Sequence, residues 1–286
     1  MPELPEVETV RRDLALRIVG KKISEVEVRS PKLVRNKLKD FVSALQGNEI
    51  KEIKRRAKLL VLELKQGYLL IHLKMTGQLI YRKNKEIIAG GHSFSEKSDW
   101  QLPNKYSHLI FTFIDGSQLF FNDLRQFGYL QLVEKKELEK ILKAYGIEPL
   151  TEDFTFKNFK EALGRRKTAV KIVLMDQSLI AGLGNIYASE ICFFAEVRPN
   201  RPVDSLTEKE IKDLYRGCKI ILRKAIAKRG TTSNNYVDAS GQPGNFAGFL
   251  KVYQRDGEKC QRCKNGIIKK KVIGGRGSFY CDKCQF

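Results

Sequence analysis

Two pairs of cysteines constrain this chain more than any other feature. Cys260-Gln261-Arg262-Cys263 and Cys281-Asp282-Lys283-Cys284 stand 17 residues apart, within the C-x2-C-x15–20-C-x2-C spacing of four-cysteine zinc sites. Each pair forms a tight knuckle that presents two thiolates to one tetrahedral ion, and a closed shell of four thiolates is structural rather than catalytic. The spacing therefore predicts one Zn2+ on Cys260, Cys263, Cys281 and Cys284, in preference to a redox pair or chance clustering. Between the knuckles, Ile267-Ile268 and Lys271-Val272-Ile273 are expected as the two strands of a ribbon, turning at Gly274-Gly275-Arg276-Gly277.

The other cysteines, Cys192 and Cys218, lie in helical stretches and read as buried thiols. The start, Met1-Pro2-Glu3-Leu4-Pro5-Glu6, lacks the basic head and apolar run of a signal peptide. The expected compartment is thus a reducing cytoplasm or nucleoid, where cysteines are free or bind metal. No apolar run reaches the ~18 residues a membrane helix needs. Lys and Arg number 53 against 33 Asp and Glu, a net charge of +20. That excess favours a polyanionic partner, nucleic acid first, although an anionic membrane surface or a merely solvated face would tolerate it. With 286 residues, 42% of them hydrophobic, the chain holds material for about two domains.

The first third begins with a helix. Val7, Val10, Leu14 and Ile18 recur at three- and four-residue steps, after Pro5 and before Gly20. Segments 59–64 and 68–73 flank a Gln66-Gly67 turn, and 109–114 and 118–121 flank Asp115-Gly116, a stronger hairpin signal. Antiparallel β-structure is expected to about residue 133, with a polar surface loop over 83–105. From 134 to 229 the pattern turns helical, with helices at 134–145, 156–163, 168–177, 185–194 and 208–228. Residues 230–248, rich in Gly, Ser, Thr and Asn, form a second long loop of the kind that is functional or disordered.

The segment Ala181-Gly182-Leu183-Gly184-Asn185 joins two helices. It is no dinucleotide-binding motif, because no strand precedes it and the third glycine is missing. Its glycines permit a tight turn that leaves Asn185 near the start of the next helix, where amides and the positive dipole end suit a phosphate. A plain helix cap without ligand is the alternative. Arg165-Arg166-Lys167 and Lys171 upstream favour nucleic acid. Arg276 is either a bidentate phosphate contact or a solvated loop residue.

Taken in chain order, Met1-Pro2-Glu3-Leu4-Pro5-Glu6-Val7-Glu8-Thr9, Arg55-Arg56-Ala57-Lys58, His72-Leu73-Lys74-Met75-Thr76-Gly77, Arg125-Gln126-Phe127-Gly128, the segment 182–190 and the cysteine ribbon resemble the formamidopyrimidine-DNA glycosylase family of bacterial repair enzymes. The resemblance implies an α+β fold in four parts. These are an N-terminal catalytic antiparallel β-sandwich flanked by helices (1–133), a linker with a helix (134–149), a helix-two-turn-helix DNA-binding domain (150–250) and a zinc ribbon (251–286). It also implies a monomeric, bifunctional glycosylase and AP lyase. Such an enzyme flips oxidised purines out of double-stranded DNA, excises them and cuts at the abasic site by β,δ-elimination.

By the same resemblance the nucleophile is the Pro2 amine, exposed once Met1 is removed. A secondary amine can form a covalent iminium, and an α-amine with a reference pKa of about 8 is partly neutral at physiological pH. Glu3 becomes the general acid/base, Glu6 a supporting carboxylate, and Lys58 a phosphate contact that assists proton transfer. Asn185 and Arg276 clamp the phosphate beside the lesion, with Arg276 assisting elimination. Met75, Arg125 and Phe127 match the residues that fill the hole left by the flipped base. His72 and Lys167 match further DNA contacts. Tyr106 stands before His108 where the family commonly has a histidine, so that contact loses its cationic form, and Gln126 replaces a frequently basic residue. Leu4 stands where the endonuclease VIII type usually has Gly, which favours the purine-directed branch. A pyrimidine-directed glycosylase and a non-enzymatic zinc-ribbon DNA binder are the competing readings.

Overall fold

Helix α1 (Leu4–Ile18) presents Val7, Val10, Leu14 and Ile18 as one buried stripe, as their spacing predicts. In the computed structural model of the chain, which describes residues 1–84, 86–92, 101–231, 236–237 and 246–286, two compact units form. Unit 1 comprises Met1–Leu142 with Lys228–Ala247, and unit 2 comprises Lys143–Ala227 with Gly248–Phe286.

In unit 1, β1 (Ile23–Val28) and α2 (Leu38–Leu45) lead into β2 (Ile50–Arg56), β3 (Leu59–Leu64) and β4 (Tyr68–His72). There follow β5 (Gly77–Lys83), β6 (Glu86–His92), β7 (Ser107–Phe113), β8 (Gln118–Asp123), β9 (Tyr129–Val133) and α3 (Lys135–Lys143). The strands form two antiparallel sheets, one ordered β2-β3-β4-β9. The other runs β1-β7-β8-β5-β6-β10, where β10 is the pair Tyr236–Val237. One core joins them: Leu60, Leu62, Leu69 and Ile71 pack with Leu79, Phe111, Phe121 and the α1 stripe.

The expected loop over 83–105 is only partly a loop. Residues 86–92 form strand β6, with 86–91 paired to β5. Its short apolar stretch Ile87-Ile88-Ala89 runs into two glycines within an otherwise polar segment, and its backbone bonds come from its neighbour. The rest of that expectation over 93–100, and most of the expected 230–248 loop, lie outside the described residues.

Unit 2 holds α4 (Phe156–Leu163), α5 (Val170–Met175), α6 (Asn185–Phe194) and α7 (Glu208–Ala227). The ribbon strands β11 (Ile268–Ile273) and β12 (Arg276–Cys281) complete it. The ribbon corrects the expectation from sequence. Ile268 and Val272 belong to one strand, whose partner follows the turn, so Arg276 opposes Ile273 at the start of β12. Three exposed lysines in mid-strand had masked its continuity. Cys192 and Cys218 are fully buried, and burial pushes the Cys192 thiol up to about 12.

Candidate active site

In unit 1 the chain start is held by buried acids. Pro2 is buried, and Glu3, the N-cap of α1, is 2% exposed. The Glu3 amide donates to Glu6 Oε2 at 2.8 Å, and the other oxygen of Glu6 accepts from the Thr231 amide at 2.8 Å. Gly230, at φ +84°, lies so close that a Cβ would stand 2.9 Å from Glu6 Oε1, so this approach requires glycine. Glu6 thus ties the residue after Pro2 to the segment that follows α7.

Lys58 sits in the two-residue connection between β2 and β3, 5% exposed. Ala57 before it adopts φ +54°, a left-handed conformation that costs a non-glycine residue roughly 1–3 kcal/mol and persists where its surroundings impose it. Arg55 provides that restraint: Nη1 donates to the Ala57 carbonyl at 2.9 Å and Nε to Glu8 of α1 at 3.1 Å. His72, ending β4, accepts the Lys74 amide on Nδ1 at 3.0 Å. Burial, then the charges of Lys74, Lys58 and Arg35, lower its pKa to about 3, which keeps the ring neutral in the DNA-free protein. Tyr106 is half-buried against Ile80, Ile110 and Phe120.

Met75, Arg125 and Phe127 cluster on two short connections, β4–β5 and β8–β9. Met75 is 37% and Phe127 53% exposed. Arg125 Nη1 donates to Met75 Sδ at 3.2 Å, and its guanidinium lies 4.6 Å from the Phe127 ring centroid.

In unit 2, Gln177 closes the turn between α5 and α6. It donates to the carbonyls of Met175 and Leu183 and accepts from the Gly182 amide, all within 2.9 Å. Gly182 takes φ +94°. Asn185 is then the first residue of α6, where its backbone amide is one of the helix's unsatisfied donors. Its side chain is engaged by the fold: Oδ1 accepts from Lys171 Nζ at 2.6 Å, and Nδ2 donates to the Gly277 carbonyl at 3.1 Å. Fully buried Lys171 also donates to Ser278 Oγ at 2.8 Å. Arg276 beside them is exposed, as is Lys167 ahead of α5.

The four ribbon thiolates lie within 4.8 Å of one another, with Cys260–Cys284 and Cys263–Cys281 both at 3.7 Å. A tetrahedron with Zn–S bonds of about 2.3 Å has edges of about 3.8 Å, so the cluster fits one zinc ion. Amides of Gly266 and Lys283 point at Cys263 and Cys281 Sγ, and a Cβ on Gly266 would collide with Cys281 Sγ. This is a structural zinc centre. Glu190 of α6 ties the segment before the ribbon down, accepting the amides of Lys251, Val252 and Tyr253 at 2.9–3.0 Å.

Sequence reasoning missed Gln177, Glu190, Thr231 and the depth of Lys171. A lysine inside the apolar helix Val170–Met175 was the one available signal.

A β-sandwich with buried acids at its chain start, a glycine-turned helical pair and a zinc ribbon, all at net charge +20, define a zinc-ribbon protein built to act on nucleic acid. Family models match residues 1–130 as formamidopyrimidine-DNA glycosylase N-terminal domain and 145–236 as its H2TH domain. Residues 257–285 match a zinc finger found in FPG and IleRS. A formamidopyrimidine-DNA glycosylase of Pelotomaculum thermopropionicum is 44% identical over 100% of this chain and 99% of its own. A Lactococcus lactis FPG mutant solved with Fapy-dG-containing DNA has TM-score 0.87 and 35% identity, covering 99% of both chains. The wild-type L. lactis protein solved with oxidized-pyrimidine-containing DNA has TM-score 0.85 and 35% identity over 99% of both. The chain belongs to the formamidopyrimidine-DNA glycosylase family, and is a base-excision-repair DNA glycosylase with AP lyase activity. The non-enzymatic reading is set aside. Among the described residues no helix is long and apolar enough to cross a membrane.

Proposed function

We propose that this chain excises oxidised purines from double-stranded DNA through the Pro2 amine, and that it is organised as a catalytic domain over 1–133, a linker with a helix over 134–149, a helix-two-turn-helix DNA-binding domain over 150–250 and a zinc ribbon over 251–286. The observation that carries this reading is the fixing of Glu3, next to Pro2, by buried Glu6. The neutral amine attacks C1′ of the damaged nucleotide, and the base departs with the bonding electrons and takes up a proton. Glu3 delivers a proton to the ring oxygen as the sugar opens, leaving an iminium at C1′. Loss of a C2′ proton expels the 3′ phosphate, and a further elimination expels the 5′ phosphate.

Lys58 contacts the neighbouring phosphate and moves protons. Asn185 and Arg276 grip the backbone, and Lys167, Tyr106 and His72 supply weaker contacts. Met75, Arg125 and Phe127 occupy the vacated stack, which lowers the cost of holding the base outside the duplex. The protein acts as a monomer in the cytoplasm, associated with the nucleoid.

The test is a panel of duplexes carrying one 8-oxoguanine, one formamidopyrimidine, one oxidised pyrimidine or no lesion. Faster excision of the two purine lesions, leaving phosphate at both ends of the gap, is the expected result. Faster excision of the pyrimidine would assign the chain to the other substrate class.

A further inference from the structure

The two connections that carry Met75, Arg125 and Phe127 meet on one buried carboxylate. Asp123, the last residue of β8, is fully buried. Its Oδ1 accepts from the Thr76 hydroxyl, next to Met75, and from the Arg125 amide at 3.2 Å; its Oδ2 accepts the Gly128 amide at 2.7 Å. Thr76 Oγ1 accepts the same Arg125 amide at 2.9 Å, so the links form a closed network. The backbone of Asp123 is held as well, its amide on the Tyr106 carbonyl and its carbonyl at the His108 ring. Gly128 has no room for a side chain: a Cβ would stand 2.7 Å from Phe121 Cζ and 3.0 Å from Asp123 Oδ2.

A carboxylate suits this place because it only accepts, with lone pairs for several donors, whereas an amide would turn an N–H2 towards one of them. The three exposed side chains sit on short loops, and entering a base stack requires holding them in one arrangement. Fixing both loops to one buried point reduces the ordering cost that insertion would otherwise incur.

We propose that Asp123 is a positioning residue for base extrusion, holding Met75, Arg125 and Phe127 in a single arrangement that enters the duplex. This rests on the reading of those three as void-filling residues. The test is a double-mutant cycle of Asp123→Asn and Arg125→Ala. It is followed by single-turnover excision and by fluorescence of a 2-aminopurine placed beside an 8-oxoguanine in duplex DNA. Each single variant is expected to slow excision and the fluorescence rise by about tenfold or more, and the double variant to lose clearly less than the two single losses combined, since coupled residues are not additive. Fully additive losses, or an unchanged fluorescence phase in Asp123→Asn, would overturn the role of Asp123. An unchanged phase in Arg125→Ala would instead overturn the void-filling reading. If Asp123→Asn does not fold, Thr76→Val removes the hydroxyl link alone and enters the same cycle with the same outcomes.

Discussion

Glu8 accepts from Arg11, Arg12 and Arg55 at 2.7–3.1 Å. Burial would raise its pKa, but the Arg11 and Arg12 hydrogen bonds and the Arg55 charge outweigh it and hold the carboxyl at about 2, against an ordinary 4.5. His72 is likewise depressed, from 6.5 to about 3. Both folded-state values lie below the unfolded ones, so each group's stabilisation is complete above its unfolded value and is lost as pH falls. The melting temperature should therefore decline in two stages, first below pH 6.5 as unfolded His72 takes up a proton, then below pH 4.5 as unfolded Glu8 does. His72→Gln should flatten the first stage and Glu8→Gln the second; melting curves in which both variants follow the parent would refute this. Lys171 makes a sharper case. Its replacement by Met leaves Asn185 Oδ1 and Ser278 Oγ without their buried donor, which should cost about 2–4 kcal/mol in denaturant unfolding of the whole chain. A loss under about 0.5 kcal/mol would show that these acceptors find other partners.

At the scale of elements, legibility followed locality. The strands Leu59–Leu64 and Tyr68–His72 and the helix Asn185–Phe194 were readable because their own residues are apolar at the right period. Strand Glu86–His92 was not, because its pairing comes from β5. The zinc knuckles were wholly legible, since two tight pairs dictate their own geometry. The lysine-bearing strand Ile268–Ile273 between them was read as two pieces. The ribbon also depends on its metal, because binding energy there is folding energy. Cys260→Ser should lose zinc by elemental analysis and bind lesion duplex at least about tenfold more weakly, through misplaced Arg276. Parental affinity in a zinc-free variant would contradict the role given to the ribbon.

At the scale of the whole molecule, the sequence motifs mark exposed or chemically distinctive residues such as Arg125, Phe127 and Arg276. The residues that hold them are ordinary polar side chains defined by distant partners: Asp123 by Thr76, Lys171 by Ser278, Glu6 by Thr231. Their roles could not be read locally, since the partners lie between 47 and 225 residues away. What unites the fold, the family and the net charge of +20 is the claim that Pro2 carries the chemistry. The direct measurement is borohydride reduction during turnover of an 8-oxoguanine duplex, with the DNA-linked peptide located by mass spectrometry. One adduct is expected, on the Pro2 nitrogen, present when Met1 has been removed and absent when Met1 is retained. An adduct on a lysine, or equal trapping with Met1 in place, would contradict it.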